Sequence, residues 1–174
     1  MINKLELHRY ITTPLGALEI TLNISDEIKP CYQSIVFKSE SEILDCVNES
    51  EHELLDLAQN QLQQYFDGKR TEFGDLLKHQ SNLGTHFQKQ CWSALCEIPY
   101  GETWSYGRQA KHMNNPKAVR AVGAANGKNP LAIVVPCHRV IGANGTLTGY
   151  AGGLDKKQWL LAFENQKIQP DLSL

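Results

Sequence analysis

Pro136-Cys137-His138-Arg139 is the stretch of this sequence best suited to covalent chemistry. A thiol attacks only as its thiolate, and a neighbouring imidazole or guanidinium favours that form. The tetrapeptide follows an apolar run, Leu131-Ala132-Ile133-Val134-Val135, which predicts a buried strand. Cys137 would then end a core strand. His138, on the opposite face of that strand, would reach the thiol proton through a water. Free cysteines are usually inert core residues, so on these four residues alone a core thiol is favoured over a catalytic one.

The elements that must hold this group divide into two parts. Leu7 to Thr12 and Leu18 to Leu22 flank Thr13-Pro14-Leu15-Gly16, the pattern of a hairpin, and Ser34-Ile35-Val36-Phe37 predicts a third strand. Ser50-Glu51-His52-Glu53 has the form of a capping box. It opens an apolar stripe of Leu54, Ala58, Leu62 and Tyr65 that ends at Asp67-Gly68. Phe73 to Gly84 lacks periodicity and is expected to be a linker. Thr85-His86-Phe87-Gln88 offers a second capping box, with Phe87, Cys91, Leu95 and Ile98 on one face. The class expected is α+β, with an N-terminal α/β domain over 1–80 and a mostly helical domain over 84–174.

Inside the second part, Ser105 can cap a short helix running through His112. Asn115-Pro116 then offers an N-cap followed by proline at the first helical position, with the helix reaching about Ala125. Two short helices with a tight turn between them form a helix-turn-helix pattern. Ile141 to Thr146 carries the Asn144-Gly145 signature of a tight hairpin, a candidate wing. Asp155 to Phe163 predicts a last helix whose apolar side is Trp159, Leu160 and Phe163. The second short helix, Lys117-Ala118-Val119-Arg120-Ala121-Val122-Gly123-Ala124-Ala125, lacks the Asn/Gln/Arg array that reads base edges in the major groove. Its small side chains permit close backbone approach instead, which suits the minor groove. Ala118 and Val122 equally fit packing inside the domain.

These motifs together resemble the O6-alkylguanine-DNA alkyltransferases, repair proteins that move an alkyl group from guanine onto their own cysteine. The resemblance rests on Pro136-Cys137-His138-Arg139-Val140, on Ser105-Tyr106-Gly107, and on Asn115 to Gly123. It extends to Asn129-Pro130, to Gly149-Tyr150-Ala151-Gly152-Gly153-Leu154, and to Trp159 through Glu164. It is strong from about Thr85 to Glu164 and weaker before, where Thr13-Pro14-Leu15-Gly16 is similar to the family's opening hairpin. The wording is closest to single-domain bacterial members. The resemblance implies a ribonuclease-H-like N-terminal domain and a winged helix-turn-helix-like C-terminal one. It implies Cys137 as alkyl acceptor, His138 as its base, and Glu164 as the acid orienting that histidine. Tyr106 would donate to the purine ring, and Arg120 would fill the gap left by an extruded base. Ala121 and Gly123 would face DNA, with Lys117 and Lys128 as candidate phosphate contacts. Asn129, Pro136, Val140, Tyr150, Ala151 and Gly152 would line or brace the base pocket. Arg139 is expected to anchor structure. Many relatives carry serine where this chain has Ala151.

Three other readings carry weaker signals. A Cys-His hydrolase needs an oxyanion hole and a cleft, and no motif for either is visible. Lesion-binding relatives replace the cysteine by tryptophan. A winged-helix regulator should carry base-reading side chains.

The net charge of −2 hides an asymmetry: residues 1–83 sum to −7 and residues 84–174 to +5. Only the second part is therefore expected to meet a polyanion, with salt-sensitive affinity, and the resemblance implies that this partner is double-stranded DNA carrying O6-alkylguanine. The five cysteines, Cys31, Cys46, Cys91, Cys96 and Cys137, follow no disulfide framework. No Cys-x-x-Cys or His-x-x-x-His spacing signals a zinc site, and no metal or cofactor is expected. Met1 to Glu6 has no secretory apolar core and no run approaches a membrane span. A cytoplasmic monomer with no membrane partner is expected.

Overall fold

The computed structural model describes residues 4–25, 27, 29–43 and 50–166; Cys46 lies outside them. Two compact units divide at Leu83/Gly84, except that Pro130–Val134 belong with the first.

In the first unit, β1 (Lys4–Thr13), β2 (Gly16–Ser25) and β3 (Cys31–Lys38) form an antiparallel sheet in that order. The expected hairpin closes at Gly16, whose φ of 98° requires glycine. The Thr13 hydroxyl braces it, donating to the Gly16 carbonyl at 2.6 Å. Leu18, Ile20 and Leu22 alternate onto one face and are fully buried. Short α1 (Glu40–Ile43) follows, and then α2 (Glu53–Phe66) packs against β1 and β2. Leu54, Ala58, Leu62 and Tyr65 are buried, as the stripe predicts. The cap differs from expectation. His52 is the N-cap, its Nδ1 accepting from the Leu54 N–H at 3.1 Å. Ser50 is instead taken up by β1: its N–H donates to the His8 carbonyl and its Oγ accepts from the His8 N–H. The expected linker is partly core. It holds α3 (Gly74–Leu77), with Phe73 and Leu76 buried, and His79 and Ser81 hydrogen-bond the backbone of Tyr32.

The run before Cys137 is not a strand. Leu131, Ile133, Val134 and Val135 are buried as expected, but only Leu131 pairs, in an isolated parallel bridge beside Ile35. Pro130 and Pro136 bracket the run and neither can donate to a ladder. The chain turns at Ile133, at φ 71°, where the Val134 N–H donates to the Ala132 carbonyl. Burial without pairing gives the same apolar signature as a buried strand.

The second unit contains α4 (His86–Cys96), β4 (Trp104–Ser105), α5 (Tyr106–His112), α6 (Val119–Asn126), a 3-10 turn (Cys137–Arg139), β5 (Val140–Ile141) and α7 (Leu154–Gln166). Thr85 and Gln88 form the expected capping box of α4. Ser105 caps α5 by accepting from the Arg108 N–H. Cys91, Ala110, Val122 and Ala125 make the core where α4, α5 and α6 meet, with Ala118 packed on it. Gln109 and Asn126 pair their amides inside this core, at 2.7 and 3.2 Å.

The second short helix starts at Val119, not at Pro116. Asn115 is already engaged in ending α5. Asn114 takes the left-handed conformation at φ 56°, its N–H bonds the Lys111 carbonyl, and the Asn115 N–H bonds the Ala110 carbonyl. That pair is a Schellman termination with asparagine in the usual glycine position. The candidate wing is a tight turn rather than a hairpin. Asn144 Oδ1 accepts from the Thr146 N–H and hydroxyl, and the Gly142 N–H donates to the Thr146 carbonyl. Among the described residues β5 pairs only with β4, in parallel.

Gly84, at φ 87°, abuts Trp92: a Cβ there would lie 2.7 Å from the indole ring. The ring is pinned by its N–H donating to the Ala125 carbonyl at 2.9 Å. Gly84→Ala will therefore cost on the order of 1–3 kcal/mol. Chemical denaturation reads this directly, and an unchanged midpoint would contradict it.

Candidate active site

Cys137 opens the 3-10 turn behind buried Pro136 and is 9% exposed. Its N–H donates to the Val135 carbonyl at 2.8 Å, which closes a bend in place of the expected strand. Asn129, just past α6, holds both ends of this bend. Its Nδ2 donates to the Val135 carbonyl at 2.7 Å and to Cys137 Sγ at 3.2 Å. Burial pushes the Cys137 thiol up from its ordinary range, and the Asn129 hydrogen bond and the positive charge of Lys157 oppose that push.

His138 is fully buried on the same turn. Its Nε2 lies 2.8 Å from Glu164 Oε1. Glu164 is also fully buried and has four donors: His138, Arg139 Nε at 2.8 Å, Arg139 NH2 at 3.0 Å and the Gly101 N–H at 3.1 Å. Burial would raise the Glu164 carboxyl. The hydrogen bonds and charges of His138 and Arg139 outweigh it and hold the group at about 2. An ionised carboxylate can only accept, so His138 carries its proton on Nε2. Nδ1 is then the free base. It is buried, and no group among the described residues bonds it. Burial lowers the His138 pKa, and Glu164 opposes this. Arg139 anchors the arrangement from behind, also donating to the Ile98 carbonyl at 2.7 Å, with its guanidinium 5.6 Å from the Tyr100 ring centroid.

Tyr106, the first residue of α5, reaches the site because β4 pairs with β5 and sets the start of α5 beside the exit of the 3-10 turn. Its hydroxyl donates to the Thr148 carbonyl at 3.0 Å. Tyr150 places its hydroxyl in a buried position unbonded by any described group. Burial first, then the negative charges of Cys137 and Glu164, push this phenol well above its usual range. Val140 is fully buried, Gly152 half-buried and Ala151 exposed.

The structure thus bonds Asn129 to the Cys137 thiol, pairs His138, on the same turn, with Glu164, sets Tyr150 within electrostatic range of the thiol and ties Tyr106 to Thr148, two residues before Tyr150. It also places there a residue that the sequence reading missed. Lys157 is fully buried, and its Nζ donates to the Thr148 carbonyl at 2.7 Å. The stripe expected on α7 is the reason. Trp159 and Phe163 are half-buried and stack on each other, with centroids 4.9 Å apart. The buried stripe is Lys157, Leu160 and Glu164, spaced i, i+3, i+7. Two ionisable residues at helical spacing around one leucine were the available signal.

Away from the thiol, α6 presents Val119, Arg120, Ala121 and Ala124 to solvent, with Lys117 and Lys128 exposed at its two ends. Gly123 is half-buried, its Cα facing the Tyr106 ring closely enough that a Cβ would stand 3.7 Å from it. Arg120 forms no hydrogen bond or ion pair among the described residues. The exposed face of α6 is therefore one long cation among small side chains.

Residues 86–166 match the DNA-binding domain of 6-O-methylguanine DNA methyltransferase. The methylated-DNA–protein-cysteine methyltransferase of Methanosarcina mazei is 60% identical over 110 residues, which is 63% of this chain and 68% of that protein. The crystal structure of Mycobacterium tuberculosis O6-methylguanine methyltransferase superposes with a TM-score of 0.75 at 40% identity, covering 97% of this chain and 98% of that one. A crystal structure of the Mycobacterium tuberculosis OGT in complex with DNA superposes at 0.74 and 40% identity, covering 92% and 93%.

Proposed function

The chain belongs to the methylated-DNA–protein-cysteine methyltransferase family, and from that membership and the setting of Cys137 we propose that it repairs DNA by direct reversal, moving the alkyl group of O6-alkylguanine irreversibly onto this thiol. The observation that carries the reading is the 2.8 Å contact between His138 Nε2 and the Glu164 carboxylate, both fully buried. Glu164 fixes the proton on Nε2 and leaves Nδ1 as a buried base next to a buried nucleophile.

The reaction is a displacement. The thiol proton passes to His138 Nδ1, through one bridging water where the reach requires it. Cys137 Sγ attacks the alkyl carbon, the carbon–O6 bond breaks, and its electron pair stays on the purine. Tyr106 donates to the purine ring as that charge develops, which makes guanine a better leaving group. The proton lost by the thiol is balanced by the one that guanine gains. Asn129 keeps Sγ aimed, and Tyr150, Ala151, Gly152, Pro136 and Val140 form the walls of the base pocket. The product is a thioether, a very poor leaving group, so each chain turns over once.

The reactive carbon is hidden inside a duplex, so the base must be extruded, at a cost of a few kcal/mol. The exposed face of α6 supports a minor-groove approach in which Arg120 takes the place of the extruded base. Ala121 and Gly123 let the backbone come close, and Lys117 and Lys128 contact phosphates. The first domain, over 1–80, is ribonuclease-H-like in this proposal, and the second, over 84–174, is a helix-turn-helix domain in which the 142–146 turn stands in for a wing. The protein acts as a cytoplasmic monomer on double-stranded DNA. Among the described residues no helix is long and apolar enough to cross a membrane.

Intact-protein mass spectrometry after incubation with an O6-methylguanine duplex tests the reading. A gain of one methyl per chain, saturating at one and mapping to the peptide that holds Cys137, is expected. DNA binding with no mass gain would replace it by lesion recognition without transfer.

Ala151 offers a narrower test. Serine there would narrow the pocket and add a hydroxyl near O6, so Ala151→Ser is expected to slow benzyl transfer relative to methyl transfer. Equal rate ratios for the two proteins on methyl- and benzyl-guanine oligonucleotides would refute it.

A further inference from the structure

The displacement described above gives no part to Lys157, although it is a lysine with no exposed surface. It stands in the first turn of α7, tied by its own N–H to the Gly153 carbonyl. Its Nζ donates to the Thr148 carbonyl at 2.7 Å, lies 3.4 Å from the Gly149 carbonyl, and sits 5.9 Å from the centroid of the Tyr106 ring. The Tyr106 hydroxyl donates to the same Thr148 carbonyl at 3.0 Å. One carbonyl oxygen, with two lone pairs, thus takes one donor from α5 and one from α7.

The two donors are not equivalent. A phenol has one proton and can give it to one acceptor at a time. If Tyr106 is to donate to a purine it must release Thr148. An ammonium has three protons, and this one is buried against the loop carbonyls, so it has no reason to leave. A loop held by Tyr106 alone would come loose as the base arrived, and Tyr150 and Ala151 would move with it.

We propose that Lys157 is the positioning residue of the alkyl-transfer site, holding the Thr148 and Gly149 carbonyls throughout so that Tyr106 can exchange the Thr148 carbonyl for the purine without releasing the substrate loop. This rests on the reading of Tyr106 as donor to an extruded base. The location supports a second effect. Burial discourages both the ammonium of Lys157 and the thiolate of Cys137, and each charge partly offsets that cost for the other.

Single-turnover transfer from an O6-methylguanine duplex, followed in the wild type, Lys157→Met, Tyr106→Phe and the double variant, tests the exchange. Lys157→Met should lower the limiting rate on the order of ten- to a hundredfold, the scale of a misplaced substrate group. The DNA concentration giving half the limiting rate should not change. In the Tyr106→Phe background the same replacement should cost less than in the wild type, because the loop is still freed but no hydroxyl remains to be diverted. Equal losses in both backgrounds, or a loss confined to the half-saturating concentration, would overturn the proposal. Hydrogen exchange of residues 148–153 in the free protein gives a measure independent of transfer. Tyr106→Phe should leave this segment protected because Lys157 still holds it, and adding Lys157→Met should expose it. Loosening by Tyr106→Phe alone would overturn the proposal even if Lys157→Met does not fold. Failure of the wild type to transfer would overturn the alkyltransferase reading and the Tyr106 half of this one, while exchange still decides whether Lys157 holds the loop.

Discussion

Glu164→Gln will lower the stability of the protein by about 3–5 kcal/mol, the usual result of removing one partner of a buried ion pair. The loss follows from the number of donors that the carboxylate satisfies. Glu164 accepts from His138 Nε2, from Arg139 Nε and NH2, and from the Gly101 N–H. A glutamine has one oxygen to offer and brings an NH2 that must face at least one of those donors. The Arg139 guanidinium, only 5% exposed, would keep its charge and lose its counter-ion. Denaturant unfolding should show the fall in midpoint with little change in slope. A loss under about 1 kcal/mol would mean that water reaches the pair. Transfer should slow as well, because an amide no longer fixes the Nε2–H form of His138.

Glu164 and His138 also contribute to the acid limb of stability. Glu164 is depressed to about 2 from an ordinary 4.5, so its contribution is whole above pH 4.5 and is lost as pH falls toward 2. His138 is depressed by burial below its ordinary 6.5. The unfolded chain therefore takes up that proton first, and stability begins to fall as pH drops below 6.5. Both act in one direction. The melting temperature of the wild type should decline on acidification in that window, and in Glu164→Gln the part below pH 4.5 should flatten.

Much of this arrangement is legible in the sequence. The Thr13–Gly16 turn, the caps at Thr85 and Ser105, and the stripes on α2 and α4 are local features, and the structure follows them. The errors share a cause. Leu131 to Val135 is apolar because it is buried, and whether such a run pairs or turns depends on acceptors elsewhere in the chain. Asn115 looks like a cap until Asn114 is seen ending the preceding helix. The β4–β5 ladder, which sets the start of α5 beside the exit of the 3-10 turn, is two residues long on each side and has no periodicity to detect. Within the site, Cys137 and His138 stand out by residue type, and Glu164 only by family spacing. That Glu164 is shared by His138 and Arg139, and that Lys157 is buried beside Tyr106, are facts about side-chain direction that spacing does not carry.

Cys137→Ser will take up no methyl from an O6-methylguanine duplex, while its affinity for that DNA will match the wild type. Serine fits the site sterically, and Asn129 Nδ2 can donate to an oxygen where it now donates to Sγ at 3.2 Å. What is lost is nucleophilicity. His138, its basicity lowered by burial, is matched to a thiol and cannot ionise a hydroxyl to a useful degree. The variant also isolates what the reaction does to the fold. Cys137 is 9% exposed, between buried Pro136 and His138. A methyl group added there must displace packed neighbours, at about 1–3 kcal/mol. Wild type exposed to the alkylated duplex and then freed of DNA should therefore melt at a lower temperature than untreated protein. Cys137→Ser carried through the same treatment should melt as it did before. A shift in both would trace the loss to residual DNA or handling. A shift in neither, with the methyl mapped to Cys137, would show room beside the thiol that its burial does not suggest.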